Sequence, residues 1–381
     1  MRGAAEFFDG YVRGLGHSKA MTYSDAPNPD RFNFRNPADT FANIPGILGY
    51  FPKEKVILVT ATDSGYLPGP VLSRPIDGLD APDLLDATAD VLRAEGVTDV
   101  HIYFVTKAVQ TEQCSYLMWL AAVLRNWLAD SGIEVGEVFA ADIISTGRRF
   151  ISLTNPNSGG TIAEVERSWS ARRADQAGEP IAGSKTELDR RFQVRPPSVD
   201  GSWERLVRQV LSECIATVAA QLHPSAPSAP NSLLCDAMSQ TGAVLANIDE
   251  GGLNITELHQ DTEALRALLL PLTHTTLRDM LFALCNSPLR ATARETWLEL
   301  ARLTTDHVRA NALVLYAVER FECGAEGVGH AALAAALAAA PEHRLAQLIQ
   351  TALVYDDISG VVGGMIATSS ELVETATELA S

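Results

Sequence analysis

Residues 55–62, KVILVTAT, carry β-branched and apolar side chains at both alternating sets of positions. A strand that is apolar on one face needs one covering layer, whereas a strand apolar on both faces needs two. This run therefore calls for a sheet sandwiched between helices, and its surroundings supply them. Asn36-Pro37-Ala38-Asp39 starts a helix, with Pro suited to the first turn because its missing N–H is not needed there, and that helix ends at Gly46 to Gly49. After the strand, DSGYLPGP is a dense turn signal and VLSRPI (71–76) returns as the second arm of a hairpin. Residues 81–95 place Leu84, Leu85, Val91 and Leu92 on one helical face.

Gly96 closes that helix and VHIYFVT (100–106) follows as a strand. A helix over 112–130 is apolar nearly all round and is expected to be buried, and EVFAADII (137–144) and RFISLT (149–154) read as further strands. Strands alternating with helices predict an α/β domain with a mixed, layered sheet over 37–155, preceded by an arm at 1–36 rich in Pro, Asn and Asp. Residues 156–202 shift to Gly, Pro and Arg and read as a linker with short helices, with no strand expected after 155.

From 203 to 381 the pattern is helical. The stretch from Leu277 to Leu353 contains helices of about a dozen residues joined by short turns such as Cys323-Gly324 and Ala340-Pro341, which favour antiparallel helix pairs. The small residues of AALAAALAAAP resemble a tetratricopeptide-type packing face, so the second half is expected to be an all-α domain with tetratricopeptide-like helix pairs. A chain of 381 residues, with 46% hydrophobic and 20% charged residues, accommodates two such cores.

Composition then narrows the function classes. A net charge of −17 repels phosphate backbones and anionic lipid, so neither nucleic acid nor a membrane is expected as a partner. The five cysteines, Cys114, Cys214, Cys235, Cys285 and Cys323, form no CxxC pair, which argues against a zinc knuckle or a redox motif. Residues 1–20 carry neither a continuous apolar stretch nor a small-residue cleavage site, and no apolar run of about 18 residues occurs in the sequence, so a cytoplasmic location is expected.

Catalytic signatures are equally sparse. There is no GxGxxG after a strand, no GxxxxGK[ST] and no GxSxG. Asp306-His307 are neighbours on a helix and point apart, unlike a triad pair. His101, His274 and His330 lack metal-ligand neighbours, Glu257 and His259 sit two residues apart, and the acidic residues Asp356-Asp357 and 369–379 read as solvated. No metal and no cofactor is expected.

The segments IPGILGYFPKEKVILVTA, GPVLSRPI and VTDVHIYFVT, then RDMLFALCNSPLRATARETWLELARLTTDHVRANALVLYAVERFECGAEGVGHAALAAALAAAPEHRLAQLIQTAL, in that order, resemble the actinobacterial family called domain of unknown function 4192. The resemblance spans most of residues 36–355 and implies no assigned activity. Similar members often carry a W-W-S-Y-x-C strand followed by a Cys-Cys-Pro turn. Here Arg149 to Asn157 hold that place without a cysteine, which marks a divergent member and transfers no metal or thiol role.

Two function classes remain. The first is a scaffold or regulatory interaction protein, whose helical half presents Leu315, Tyr316 and Phe321 on a concave face to a protein partner or a second copy. The second is a small-molecule-binding protein or enzyme using the crevice beyond the strand ends, where Thr62, Asp63, Lys107 and Asp142 would gather. An acid and an amine within about 5 Å there could hold a charged metabolite or transfer a proton.

Overall fold

The first helix, α1 (Pro37–Leu48), forms as its ends dictate. The Asn36 side chain accepts from the Ala38 N–H at 3.1 Å, Pro37 occupies the first turn, and Gly49 leaves the helix in the left-handed region at φ 78°. In the computed structural model, residues 11–12, 36–61, 68–79, 82–94, 96–221, 230–354 and 358–380 are described. The chain divides into two compact units. One comprises Met1–Arg190 with Cys323–Ala331 and Thr351–Asp357; the other comprises Arg191–Glu322 with Ala332–Gln350 and Ile358–Ser381.

The first unit is built on β2 (Lys55–Ala61), β3 (Pro68–Pro75), β4 (Asp99–Val105), β5 (Glu134–Ala141), β6 (Arg149–Ser152) and β7 (Gly159–Thr161). The two-residue β1 (Tyr11–Val12) adds to the outer side of β3, giving the order β1-β3-β2-β4-β5-β6-β7. Only β4 and β5 run parallel, and every other neighbouring pair is antiparallel. The expected hairpin of β2 and β3 is present, with Leu58 opposite Leu72.

Both faces of the sheet are covered, as the two-sided apolar strand requires. Val56, Leu58, Ile102, Phe104 and Val138 pack beneath α2 (Pro82–Ala94) and α3 (Cys114–Asp130) through Leu85, Leu92, Leu117, Leu120 and Leu124. On the other face α1 lays Phe41 edge-on to Tyr103 at 4.9 Å and against Phe150 at 5.3 Å, with Phe139 completing the aromatic group. The glycines of the GILG stretch serve this packing. A Cβ on Gly46 would lie 2.4 Å from Ser170 Oγ, so α4 (Trp169–Gln176) meets α1 only because Gly46 has none. Ser170 seals the crossing by donating its N–H to Asn43 Oδ1 and its hydroxyl to the Asn43 carbonyl, at 2.8 and 2.7 Å.

Two expectations fail here. The strand β7 lies inside the stretch read as linker, because its two glycines disfavour a strand and Gly159-Gly160-Thr161 pairs through its register with Arg149 to Ile151. Helix α3 buries only the Leu117–Leu128 stripe; Tyr116, Met118 and Trp119 are 43%, 54% and 49% exposed.

The second unit is helical among the described residues, apart from 3-10 turns. It contains α6 (Ser202–Gln221), α7 (Pro230–Asp249), α8 (Thr262–Leu269), α9 (Thr275–Met280), α10 (Arg290–Leu303), α11 (Asp306–Glu322) and α14 (Ile358–Ala380). α5 (Lys185–Arg190) ends the first run of the first unit, and α12 (Glu326–Ala339) and α13 (Arg344–Val354) each contain residues of both units. The buried guanidinium of Arg309 donates to the carbonyls of Ala301 and Phe192, which caps the end of α10 and fastens residue 192 to it.

Candidate functional site

The strand-end crevice is divided by topology. β4 and β5 are parallel, so Val105 and Ala141 end side by side and the Thr106 N–H reaches the Ala141 carbonyl at 2.9 Å. β2 runs the other way, with Lys55 opposite Val105 and Thr60 opposite Val100. Ala61 therefore lies at the far end of a strand about 20 Å long at 3.3 Å per residue. Thr62 and Asp63 lie outside the described residues. The expected gathering of four residues assumed three strands of one direction, and the antiparallel β2 removes that assumption.

What gathers beside Lys107 and Asp142 is a self-satisfied polar cluster. Glu54 sits at φ 51°, and its carboxylate accepts from the Thr106 hydroxyl at 2.5 Å and the Lys107 N–H at 3.2 Å. Asp142 accepts from Arg148 Nε at 2.8 Å and from Gln110 Nε2 at 2.6 Å, and Arg148 Nη2 adds a further bond. The Arg148 guanidinium holds the Asp142 carboxyl below the usual carboxylate range. An ionised carboxylate already engaged by two side chains is a fastener for the turn between β5 and β6 and a weak proton acceptor. Lys107 is exposed at the start of the 3-10 turn Lys107–Gln110, where Thr106 caps the Ala108 N–H. Sequence reasoning missed Glu54 and Gln110, since nothing in their spacing marks them.

Leu315, Tyr316 and Phe321 are buried, at 2%, 2% and 8% exposure. Tyr316 meets Phe192 edge-on at 5.7 Å. A groove lined by these three would need them partly exposed, so the helical face proposed from the sequence is instead core: α11 is apolar on more of its circumference than one stripe and buries nearly all of it.

An open concavity of the first unit lies elsewhere among the described residues. A groove of about 650 Å³ has β6 and β7 as its floor, the first turns of α3 as one wall through Cys114 and Met118, and the turn at 153–158 as its rim. That rim is fixed by its own polar groups: Ser152 Oγ accepts from the N–H of Asn155 at 3.0 Å, and Asn155 Oδ1 from that of Asn157 at 3.1 Å. A Cβ on Gly160 would meet the Phe150 ring at 3.0 Å, so position 160 faces the α1 side of the sheet and Gly159 and Thr161 face the groove. On β6, Ile151 packs into the α3-side core and Arg149 lies two residues along on the same face.

The edge of this floor is open. The bonds from Ser152 N–H to the Ser158 carbonyl and from Ile162 N–H to the Arg148 carbonyl fix the alternation of the antiparallel ladder. In that alternation Gly160 faces its β6 partner, and the N–H and C=O of Gly159 and Thr161 point away from the sheet. No described residue bonds to them, and all three β7 residues are exposed. Arg149, also exposed, is the only charged side chain lining the groove and has no ion-pair partner among the described residues.

Among the described residues no three His, Cys, Asp or Glu side chains stand where they could hold a metal ion, and no helix is long and apolar enough to cross a membrane. None of the five cysteines is paired with another in a disulfide. No curated protein and no solved structure matches the chain. Residues 37–355 match the family described as a domain of unknown function (DUF4192), and the chain belongs to that family.

Proposed function

We propose that this protein is an interaction module, scaffolding or regulatory, that takes an extended segment of a protein partner onto the open edge of its α/β unit. One observation carries the reading: the outward N–H and C=O groups of Gly159 and Thr161 have no partner among the described residues, on an exposed edge strand beside a preformed groove. Natural sheets blunt such edges with charge, Pro or a covering loop, and an uncovered edge is a template for strand addition. Here the strand carries no charge and no Pro, and the exposed Met118 and Trp119 stand on the adjoining helix. The small-molecule alternative loses its support because Asp142 is committed to Arg148 and Gln110.

The test is a photo-crosslinking amino acid placed at Met118 of the full chain in its own host, compared with one at the exposed Asp90. Discrete protein adducts are expected from position 118 alone. They should vanish when Thr161→Pro is added, because Pro deletes one outward donor while leaving the bonds to β6 in place. Adducts that are the same from both positions, or indifferent to Thr161→Pro, refute the edge as the binding surface.

A further inference from the structure

The groove also specifies the chemistry of the segment that fits it. We infer that the β7 edge selects an extended peptide bearing a carboxylate and an apolar side chain two residues apart. The inference rests on the strand-addition reading above and adds to it the identity of the two side chains.

In a strand added outside β7, the residues opposite Gly159 and Thr161 project their side chains to the same face as those two residues, which is the groove face. The two rows differ. One row runs from Thr161 to Arg149 on β6, and the other from Gly159 to Ile151. Across Thr161, the exposed Arg149 guanidinium faces the added strand about two strand spacings, or roughly 10 Å, away, a span that an arginine and a glutamate cover together. Across Gly159 there is no intervening side chain, so the residue placed there lies over Ile151 and against Met118, both apolar.

A basic residue would face Arg149, and a polar one would cover apolar floor without a partner. The alternation therefore reads acid-x-apolar in an antiparallel peptide and apolar-x-acid in a parallel one. Charge favours this occupant over a second copy. In a two-fold pairing of β7 with itself about Gly160, Thr161 would face Gly159 of the other chain, and Arg149 would look toward that chain's Ile151, with no carboxylate.

The experiment uses the full chain and three labelled eight-residue peptides of alternating β-branched sequence, identical except for Glu, Gln or Lys at the position opposite Thr161, read by fluorescence anisotropy. The Glu peptide is expected to bind at least about tenfold more tightly than the Gln peptide. Arg149→Glu should reverse the order against a Lys peptide, and Thr161→Pro, with an unchanged thermal midpoint, should weaken all of them at least tenfold. Equal affinity for Glu and Gln peptides with sensitivity to Thr161→Pro overturns the carboxylate while leaving strand addition standing. Binding indifferent to Thr161→Pro overturns both. A concentration-dependent dimer that protects the amides of residues 159 and 161 makes a second copy the occupant and overturns the peptide.

Discussion

His343 should be an imidazole that stays neutral well into acid, and the second unit should weaken when it is forced to protonate. The ring is 4% exposed and caps α13, its Nδ1 accepting from the Ala346 N–H at 3.1 Å. An accepting Nδ1 places the proton on Nε2, which then donates to Asn311 Oδ1 at 2.8 Å. Asn311 Oδ1 also accepts from Arg278 Nη1 at 2.8 Å, and the Asn311 amide donates to the Leu272 carbonyl at 2.8 Å. Burial first, then the positive Arg278 and the neighbouring His307, push the imidazole down to about 4, against a smaller opposing pull from Glu342.

The folded value lies below the unfolded value of about 6.5, so the unfolded chain binds more protons between them and stability rises with pH in that window. The contribution is complete above pH ~6.5 and is lost as the pH falls toward 4. A window of about two and a half pH units, at about 1.4 kcal/mol each, bounds the loss at about 3.5 kcal/mol. The assay pairs an NMR titration of the imidazole Cε1–H with hydrogen exchange at the Ala346 amide, in the native chain and in His343→Gln. The native midpoint should fall near 4, and native protection at Ala346 should drop from pH 7 to pH 5 while that of the variant, lower at pH 7, changes little. A midpoint between 6 and 7, or a parallel pH dependence in both chains, refutes the account of a buried neutral cap.

Two further perturbations test the first unit. Gly46→Ala forces a methyl to within 2.4 Å of Ser170 Oγ and 2.6 Å of its backbone carbon, so a loss of about 2 kcal/mol in urea unfolding is expected despite the better helix propensity of alanine. A neutral or stabilised variant contradicts the close crossing of α1 and α4. Arg148→Gln removes the guanidinium that holds Asp142 ionised, so the Asp142 carboxyl should titrate at higher pH by carbon-13 NMR; an unmoved midpoint shows that Arg148 does not hold it.

The sequence by itself determined most of the elements and their layering. A strand apolar on both faces, KVILVTAT, needs cover on both sides, and α1 on one face with α2 and α3 on the other supply it. Asn36-Pro37 and Gly49 bound the first helix by local rules of capping and left-handed geometry that any sequence obeys. The helical second half was legible for the same reason, since periodicity is written residue by residue.

Strand direction and edge identity were decided only by the tertiary structure. Nothing in residues 55–61 records that β2 runs against β4, yet that choice alone separates Ala61 from Asp142 and dissolves the crevice expected from the strand ends. Likewise Gly159-Gly160-Thr161 reads as loop because its conformation is set by Phe150 and Ile151 across the ladder, not by its own propensity. The candidate groove was illegible for that reason: helix periodicity states which residues are apolar, whereas only the position of α3 over the sheet decides that Leu117 is covered and Met118 is left facing an open edge.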